Sequence, residues 1–375
     1  MTIAVLGAGM IGHVIAKDLA LQYDVTAFDL NNESLAELNK VSPEIKTASA
    51  DFILYKEYAN WLETFDVVVI AVPGHMGYKT LEAVINAGKN VVDISFFPED
   101  GLQLDKLAKQ KQVTAIIDCG VAPGISNLIL GRENEEMKIS SFMCYVGGLP
   151  VERKKPFEYK AAFSPIDVIQ EYIRPVHLME DGVIVTKPPL TDREIIKIEK
   201  IGELEAFNTD GLRSLIYTMK HIPEMKEKTL RYPAHVNLIV AMQQAGFFDT
   251  APLRIDETDI SPLEFVSKLL INQWKLEPGE EEFTVLKLII KGEMDGRQKT
   301  IEYNLLDYYD RITGTSSMAR TTGYTCTATV NLLAKNLFDE KGIFPPEFIG
   351  KNKNCFDFIE NYLKQRKVIW KRTEQ

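Results

Sequence analysis

Between Thr2 and Asp29 the chain reads TIAVLGAGMIGHVIAKDLALQYDVTAFD. A short apolar run, Ile3 to Leu6, leads into Gly7-Ala8-Gly9-Met10-Ile11-Gly12, a G-x-G-x-x-G. Ile11, Val14, Ile15 and Leu19 then fall on one helical face, and a second apolar run ends at Asp29, 17 residues after Gly12. Strand, glycines, helix, strand and acid in this register constrain the fold to a βαβ unit that binds a dinucleotide. Gly7 permits the tight turn out of the strand, Gly9 leaves the backbone bare for a pyrophosphate, and Gly12 lets the helix pack close. The phosphates are expected at the helix N-terminus, where unpaired N–H groups favour anions, with Met10 and Ile11 as the first helical residues there. An acid at position 29 accepts hydrogen bonds from ribose 2′ and 3′ hydroxyls and repels a 2′-phosphate. NAD, rather than NADP, is the expected cofactor.

The α/β alternation continues beyond Asp29. A helix is expected over 33–38 and a strand over Ile45 to Ala48. Asp51 follows, placed either beside an adenine or as the cap of a helix over 52–64. Asp66 to Ala71 is a near-continuous apolar run, the pattern of a parallel strand buried on both faces. Its exit, Val72-Pro73-Gly74-His75, stands at the sheet edge where nicotinamide and substrate meet, so Ala71, Val72, Pro73 and His75 are candidate cofactor contacts. After a helix over 76–88, a strand from Asn90 to Ile94 delivers Asp93 and Ser95 to the same edge. A helix over 102–111 and a strand from Val113 to Ile117 deliver Asp118. Roughly 118 residues thus make a doubly wound parallel sheet.

Asp118 to Gly124 is a glycine-proline hinge that places Ala122, Pro123 and Gly124 by the cofactor and opens a helix at Ile125. The rhythm then turns strand-rich: Ser140 to Val146 ahead of Gly147-Gly148-Leu149-Pro150, Val183 to Thr186, and Ile195 to Ile198. Phe283 to Ile290 and Gln298 to Leu306 read as antiparallel partners. A small-residue helix within 316–337 is expected to pack back on the first domain. The reading is an α/β chain in three parts: a dinucleotide-binding domain (1–124), an α+β domain for substrate and dimerisation (125–315), and a returning C-terminal segment (316–375).

Composition excludes several classes. A length of 375 residues fits two domains, and the 45% apolar fraction supplies a sizeable core. No apolar run approaches the ~20 residues of a membrane span. A net charge of −10 disfavours nucleic acid and anionic membrane as partners. Cys119, Cys144, Cys326 and Cys355 lack metal-type spacing, so no metal is expected. The first residues carry no basic region or cleavage site, and reduced thiols in a cytoplasmic enzyme are the expectation.

The hinge DCGVAPG followed by ISNLILG (Asp118 to Gly131) resembles the saccharopine dehydrogenase family, in particular the lysine 6-dehydrogenases. Further matching motifs run in order: YVGGLP (Tyr145 to Pro150), EAFNTDGLRSL (Glu205 to Leu215), KTLRYPAH (Lys228 to His235), MARTTGYT (Met318 to Thr325) and GIFPPE (Gly342 to Glu347). The resemblance implies a discontinuous Rossmann domain, a middle domain that shapes the substrate pocket and a homodimer, and an NAD(P)-dependent enzyme acting at the ε-nitrogen of lysine or a lysine derivative. Two substrates follow from it: L-lysine itself, oxidised at the ε-carbon with NAD, or saccharopine, a secondary amine whose additional carboxylates call for additional arginines.

Oxidising an amine requires hydride to face the nicotinamide, the ammonium to lose a proton, and the far end of the substrate to be held. Asp118 and Asp93 end strands at the cofactor edge and are the leading acidic candidates, with hinge capping as the plain alternative for Asp118. His235 titrates near the working pH and is the candidate proton relay. Arg231 and Arg213 are candidates for a substrate carboxylate, which arginine matches bidentately. Asp210 either caps a helix starting at Gly211 or, with Thr209 in the family motif, joins the pocket. Cys119 has no local base to make it a nucleophile.

Overall fold

The computed structural model describes residues 1–277 and 279–375. The first part alternates as its hydrophobic pattern dictates: β1 (Thr2–Leu6), α1 (Met10–Ala20), β2 (Asp24–Asp29), α2 (Asn32–Val41), β3 (Lys46–Ser49), the single turn α3 (Tyr58–Trp61), β4 (Val67–Ile70), α4 (Gly74–Asn86), β5 (Asn90–Asp93), α5 (Asp105–Gln110) and β6 (Thr114–Ile116). The helix expected over 52–64 is reduced to α3 and a 3-10 turn before it. Asp51 accepts the Ile53 N–H at 3.2 Å and the Tyr58 hydroxyl donates to the Phe52 carbonyl. These bonds fold the segment as a loop over its own buried Phe52, Tyr58 and Leu62.

The second part runs α6 (Ile125–Glu133), β7 (Lys138–Pro150), α7 (Pro165–Ile173), β8 (Val176–Glu180), β9 (Val183–Lys187), β10 (Glu194–Ile198), β11 (Gly202–Asn208), α8 (Leu215–Thr218), β12 (Glu224–Arg231), α9 (His235–Gln244), the hairpin β13 (Leu253–Ile255) and β14 (Thr258–Ile260), α10 (Pro262–Trp274), β15 (Glu282–Met294) and β16 (Arg297–Tyr308). β7 does not stop at Gly147-Gly148. Both glycines lie within the strand because side chains would collide there: a Cβ on Gly147 would meet Leu230 at 2.8 Å, and one on Gly148 would meet Met318 at 2.8 Å.

The C-terminal segment comprises α11 (Ser317–Ala334), β17 (Gly342–Phe344), α12 (Pro346–Lys351), α13 (Lys353–Gln365) and β18 (Trp370–Glu374). β17 joins β6 and completes a seven-stranded parallel sheet, β17-β6-β5-β4-β1-β2-β3. β18 corrects the expected return to the first domain, because it pairs with β16 in the other sheet. That nine-stranded sheet is ordered β10-β11-β12-β7-β15-β16-β18, with β8 and β9 hung from β12, and β12–β7 is its one parallel pair among the described residues.

Alternate residues of the parallel sheet feed different cores. Ala4, Val68, Ile70 and Val91 face one, under α4 and α5. Ile3, Val5, Val69 and Val92 face another, which continues through α6, α11 and α13 to Phe142, Leu288 and Tyr303 of the second sheet. One apolar core therefore spans both sheets. Polar bonds fix its edges. The Glu282 carboxylate accepts the Ser317 and Met318 N–H groups at the start of α11. Arg320 pairs with buried Asp307 through two nitrogens. Buried Asp18 of α1 accepts from Thr327, Tyr362 and Arg366, tying α11 and α13 to the first domain.

Candidate active site

At the mouth of β1 the three glycines are under different constraints. Gly7 has φ +108°, and a Cβ on it would lie 2.3 Å from the Ala71 carbonyl oxygen. A Cβ on Gly12 would lie 2.0 Å from the Gly7 carbonyl oxygen, so the helix does pack on the turn. A Cβ on Gly9 would meet nothing within 4 Å, which leaves bare backbone facing open space at the start of α1. Asp29 closes the other side, accepting the Ala8 N–H at 2.7 Å and the Asn31 N–H at 2.8 Å. A pyrophosphate over Gly9 and a ribose against Asp29 fit these residues. Met10 is exposed here and Asp51 stands half-buried beyond β3, while Pro73 and His75 are exposed at the start of α4.

Beyond the β5 and β6 edge a cleft opens between the two domains, with about 960 Å³ of empty space, open solvent included. Ile11, Ser95, Phe96, Asp118, Ala122 and Pro123 line it from the first domain. Thr209, Asp210, Glu227, Thr229 and Arg231 line it from the second sheet, and Glu171 and Arg174 from the end of α7. Gly124 turns the hinge with φ +137° behind this wall, its Cβ position only 1.8 Å from the Gly120 carbonyl oxygen.

Sequence pattern marks Asp118, Thr209, Asp210 and Arg231 but not Glu227, Glu171 and Arg174. Side chains on a strand alternate, so Glu227, Thr229 and Arg231 share one face of β12; the period of two from Arg231 was the available signal. Ser164-Pro165-x-Asp167 is a helix-start signature, with the Ser164 hydroxyl accepting the Asp167 N–H, and it was the available signal for α7. The Arg174 side chain makes no hydrogen bond or ion pair among the described residues, and its guanidinium lies over Phe96 at 5.4 Å. Asp210 caps no helix at Gly211. Its Oδ1 accepts the His177 N–H at 2.9 Å and faces His177 Nδ1 at 3.0 Å.

Three other expected site groups are set behind the wall. Arg213 pairs with Asp118 at 3.0 Å, also donates to the Phe97 carbonyl and stacks on Phe96 and Phe97. The pair separates the cleft from a smaller pocket lined by Pro98, His177 and Tyr217. Asp93 is fully buried beneath Ser95, whose N–H and hydroxyl both donate to Oδ1; Oδ2 has no partner. Burial first, and then the neighbouring Asp118 charge, push its carboxyl up to about 7. Burial also pushes the Cys119 thiol up, which keeps it protonated.

His235 is sealed 3% exposed among Phe157, Tyr159, Tyr172 and Trp274, off the cleft. Its Nδ1 lies 2.9 Å from the Phe157 carbonyl, which only accepts, so Nδ1 carries the proton. Nε2 then accepts the Tyr172 hydroxyl, whose oxygen accepts Arg231 Nε–H at 2.9 Å. Burial and the Arg231 charge lower the imidazole pKa to about 3, so the expected proton relay is instead a neutral buttress for Arg231. The unfolded chain charges this histidine below pH 6.5 and the folded one does not, so folded stability falls as pH drops. Between pH 7 and pH 5 the stability advantage of wild type over His235→Phe is expected to shrink by about 2 kcal/mol, measured by urea unfolding. An advantage that stays constant contradicts this protonation state.

Comparisons with known proteins give the family. Residues 120–368 match the family model described as saccharopine dehydrogenase C-terminal domain, and residues 3–116 match the saccharopine dehydrogenase NADP binding domain. The chain belongs to the saccharopine dehydrogenase family. It is an oxidoreductase of that family with a pyridine-nucleotide-binding domain. It is 23% identical to carboxyaminopropylagmatine dehydrogenase of Synechocystis sp., over 93% of this chain and 94% of that protein. It is 25% identical to the L-glutamate-forming, NADP(+) saccharopine dehydrogenase of Schizosaccharomyces pombe, over 66% of this chain but only 58% of that protein. The fold matches apo saccharopine dehydrogenase (L-Glu forming) of Saccharomyces cerevisiae with a TM-score of 0.81 at 20% identity, over 100% and 99% of the chains.

Proposed function

We propose that the protein is an NAD-dependent amine dehydrogenase that oxidises the ε-carbon of L-lysine, yielding an imine that hydrolyses to aminoadipate semialdehyde. The observation that carries this reading is the charge balance of the cleft. Arg174 is its one arginine without a carboxylate partner among the described residues, since Arg231 already donates to Glu171 at 3.2 Å. Glu171, Asp210 and Glu227 face the same space. With Arg231 and Glu171 paired to each other, one free cation and two acids, Asp210 and Glu227, suit a substrate with a single carboxylate end and basic nitrogens. Saccharopine would bring further carboxylates against those acids. NAD, when bound, accepts the hydride; the chain's own part is to hold the amino acid's carboxylate at Arg174 and its nitrogen among the acids.

The second reading is a secondary amine with a basic arm. It is favoured by the end-to-end likeness to a carboxyaminopropylagmatine dehydrogenase. NADH formation with lysine, ornithine, saccharopine and carboxyaminopropylagmatine, one at a time, decides between them. Lysine is expected to exceed saccharopine in kcat/KM by at least about tenfold. Turnover of saccharopine alone would overturn the lysine reading.

Asp29 supports NAD over NADP. Its carboxylate is held by two backbone N–H groups and retains acceptor capacity for a ribose hydroxyl. Asp29→Ser is expected to lower kcat/KM for NAD about 10–100-fold, the loss of a charge-assisted hydrogen bond, with NADP affected less. Equal use of NAD and NADP by the wild-type protein would defeat the assignment.

A further inference from the structure

Glu227 stands out among the acids of the cleft. It is 5% exposed, and no N–H or O–H group donates to its carboxylate among the described residues. Its neighbour across the parallel β12–β7 pair is Cys144, whose thiol lies alongside it. On the other side the chain makes room for the carboxylate with glycine: a Cβ on Gly211 would fall 1.5 Å from Glu227 Oε1. The Cys144 thiol is a weak donor to it, and a buried carboxylate with no stronger one costs several kcal/mol unless a ligand completes it or a proton neutralises it. The open side of this one is the cleft.

We propose that Glu227 takes the proton of the substrate's amine nitrogen, with Glu171 and Asp210 making the surrounding wall a seat for a cationic nitrogen. The inference rests on the amine-oxidation reading above. The step is a single proton transfer. The N–H bond of the ammonium breaks, its electron pair stays on nitrogen, and an O–H bond forms on Glu227, leaving the neutral amine from which hydride can depart.

The groups facing Glu227 agree with that role. Burial, and then the like charges of Glu171 and Asp210, push its carboxyl up to about 8; the Cys144 thiol hydrogen bond and then the Arg213 charge oppose them. Glu171 is itself raised by burial and held by Arg231. Arg174 and Arg231 lie across the same cleft. Free enzyme at neutral pH thus carries Glu227 protonated, and a bound cation draws that proton off. Asp118, the acid nearer the cofactor edge, is already neutralised by Arg213 and offers no such acceptor.

Calorimetry in two buffers of different ionisation enthalpy tests this on the whole protein saturated with reduced nicotinamide nucleotide. Lysine, ornithine and carboxyaminopropylagmatine are added in turn. Binding at pH 7 is expected to release about one proton, falling to none above about pH 9, and Glu227→Gln is expected to release none while nucleotide fluorescence shows unchanged cofactor binding. With whichever amine is oxidised, log kcat/KM is expected to rise with unit slope to about pH 8. Glu227→Gln loses about 10²–10⁴-fold in kcat together with that limb, and Glu227→Asp keeps the limb at an intermediate rate. The proposal is overturned if Glu227→Gln keeps the proton release or the limb, or if none of the amines binds. Proton release by an amine that is bound but never oxidised would remove the amine-oxidation reading and the proton-transfer step with it, leaving only a cation seat at Glu227.

Discussion

Gly9→Ala is expected to weaken binding of the nicotinamide nucleotide by about 100-fold or more while leaving the fold within about 1 kcal/mol of wild type. The position has an extended backbone and a Cβ there meets no atom within 4 Å, so alanine strains nothing. The added methyl stands where the pyrophosphate approaches the backbone, and holding it off lengthens charge-assisted hydrogen bonds worth about 1.5–3 kcal/mol each. Gly12→Ala has a different expected result. Its Cβ would fall 2.0 Å from the Gly7 carbonyl oxygen, so either α1 or the turn must shift, costing about 1–3 kcal/mol or more. Nucleotide fluorescence titration and thermal melting separate the two. A Gly9→Ala protein that binds as wild type does would remove the pyrophosphate from this turn.

The second large effect is on stability. Arg213→Ala is expected to cost about 3–5 kcal/mol, because it strands the Asp118 charge in a wall where that side chain is 2% exposed. Arg213 also gives up its stacking on Phe96 and Phe97. Both members of the pair hold left-handed backbone, φ +57° at Asp118 and +50° at Arg213, a strained conformation that the surrounding structure has to hold. Adding Asp118→Asn to Arg213→Ala is expected to recover part of the loss, since no buried charge then remains. Urea unfolding of the two single variants and the double variant measures the coupling. A loss below about 1 kcal/mol for Arg213→Ala would mean that water already reaches the pair.

Local signals explain what the sequence disclosed. The β1–α1–β2 unit was legible because Gly12, the helix period and Asp29 are fixed by contacts within 30 residues, although Gly7 also meets the distant Ala71 carbonyl. β15 and β16 were legible as a hairpin by their alternation. Glu227 and Arg174 carry no such signature. Their role comes from β12 and the end of α7 meeting across the cleft, a long-range event that alternation alone only hints at. His235 misled for the complementary reason. A histidine in a motif reads as chemistry, but the desolvation that sets its charge comes from Phe157, Tyr159 and Trp274, distant in the chain. Asp210 resembled a helix cap until His177, 33 positions earlier, claimed its carboxylate.

The last strands carry a consequence for how the protein is made. The parallel sheet gains its edge strand only with Gly342–Phe344, and the mixed sheet gains its own only with Trp370–Glu374. During synthesis neither sheet gains that edge until these two segments, more than 200 positions after β6, have emerged. The nucleotide fold, which looks self-sufficient from its first hundred residues, must wait with the exposed flank of β6 uncovered. The tail acts as a drawstring with two ties, so loss of β17 would be felt in the nucleotide domain and loss of β18 in the substrate domain.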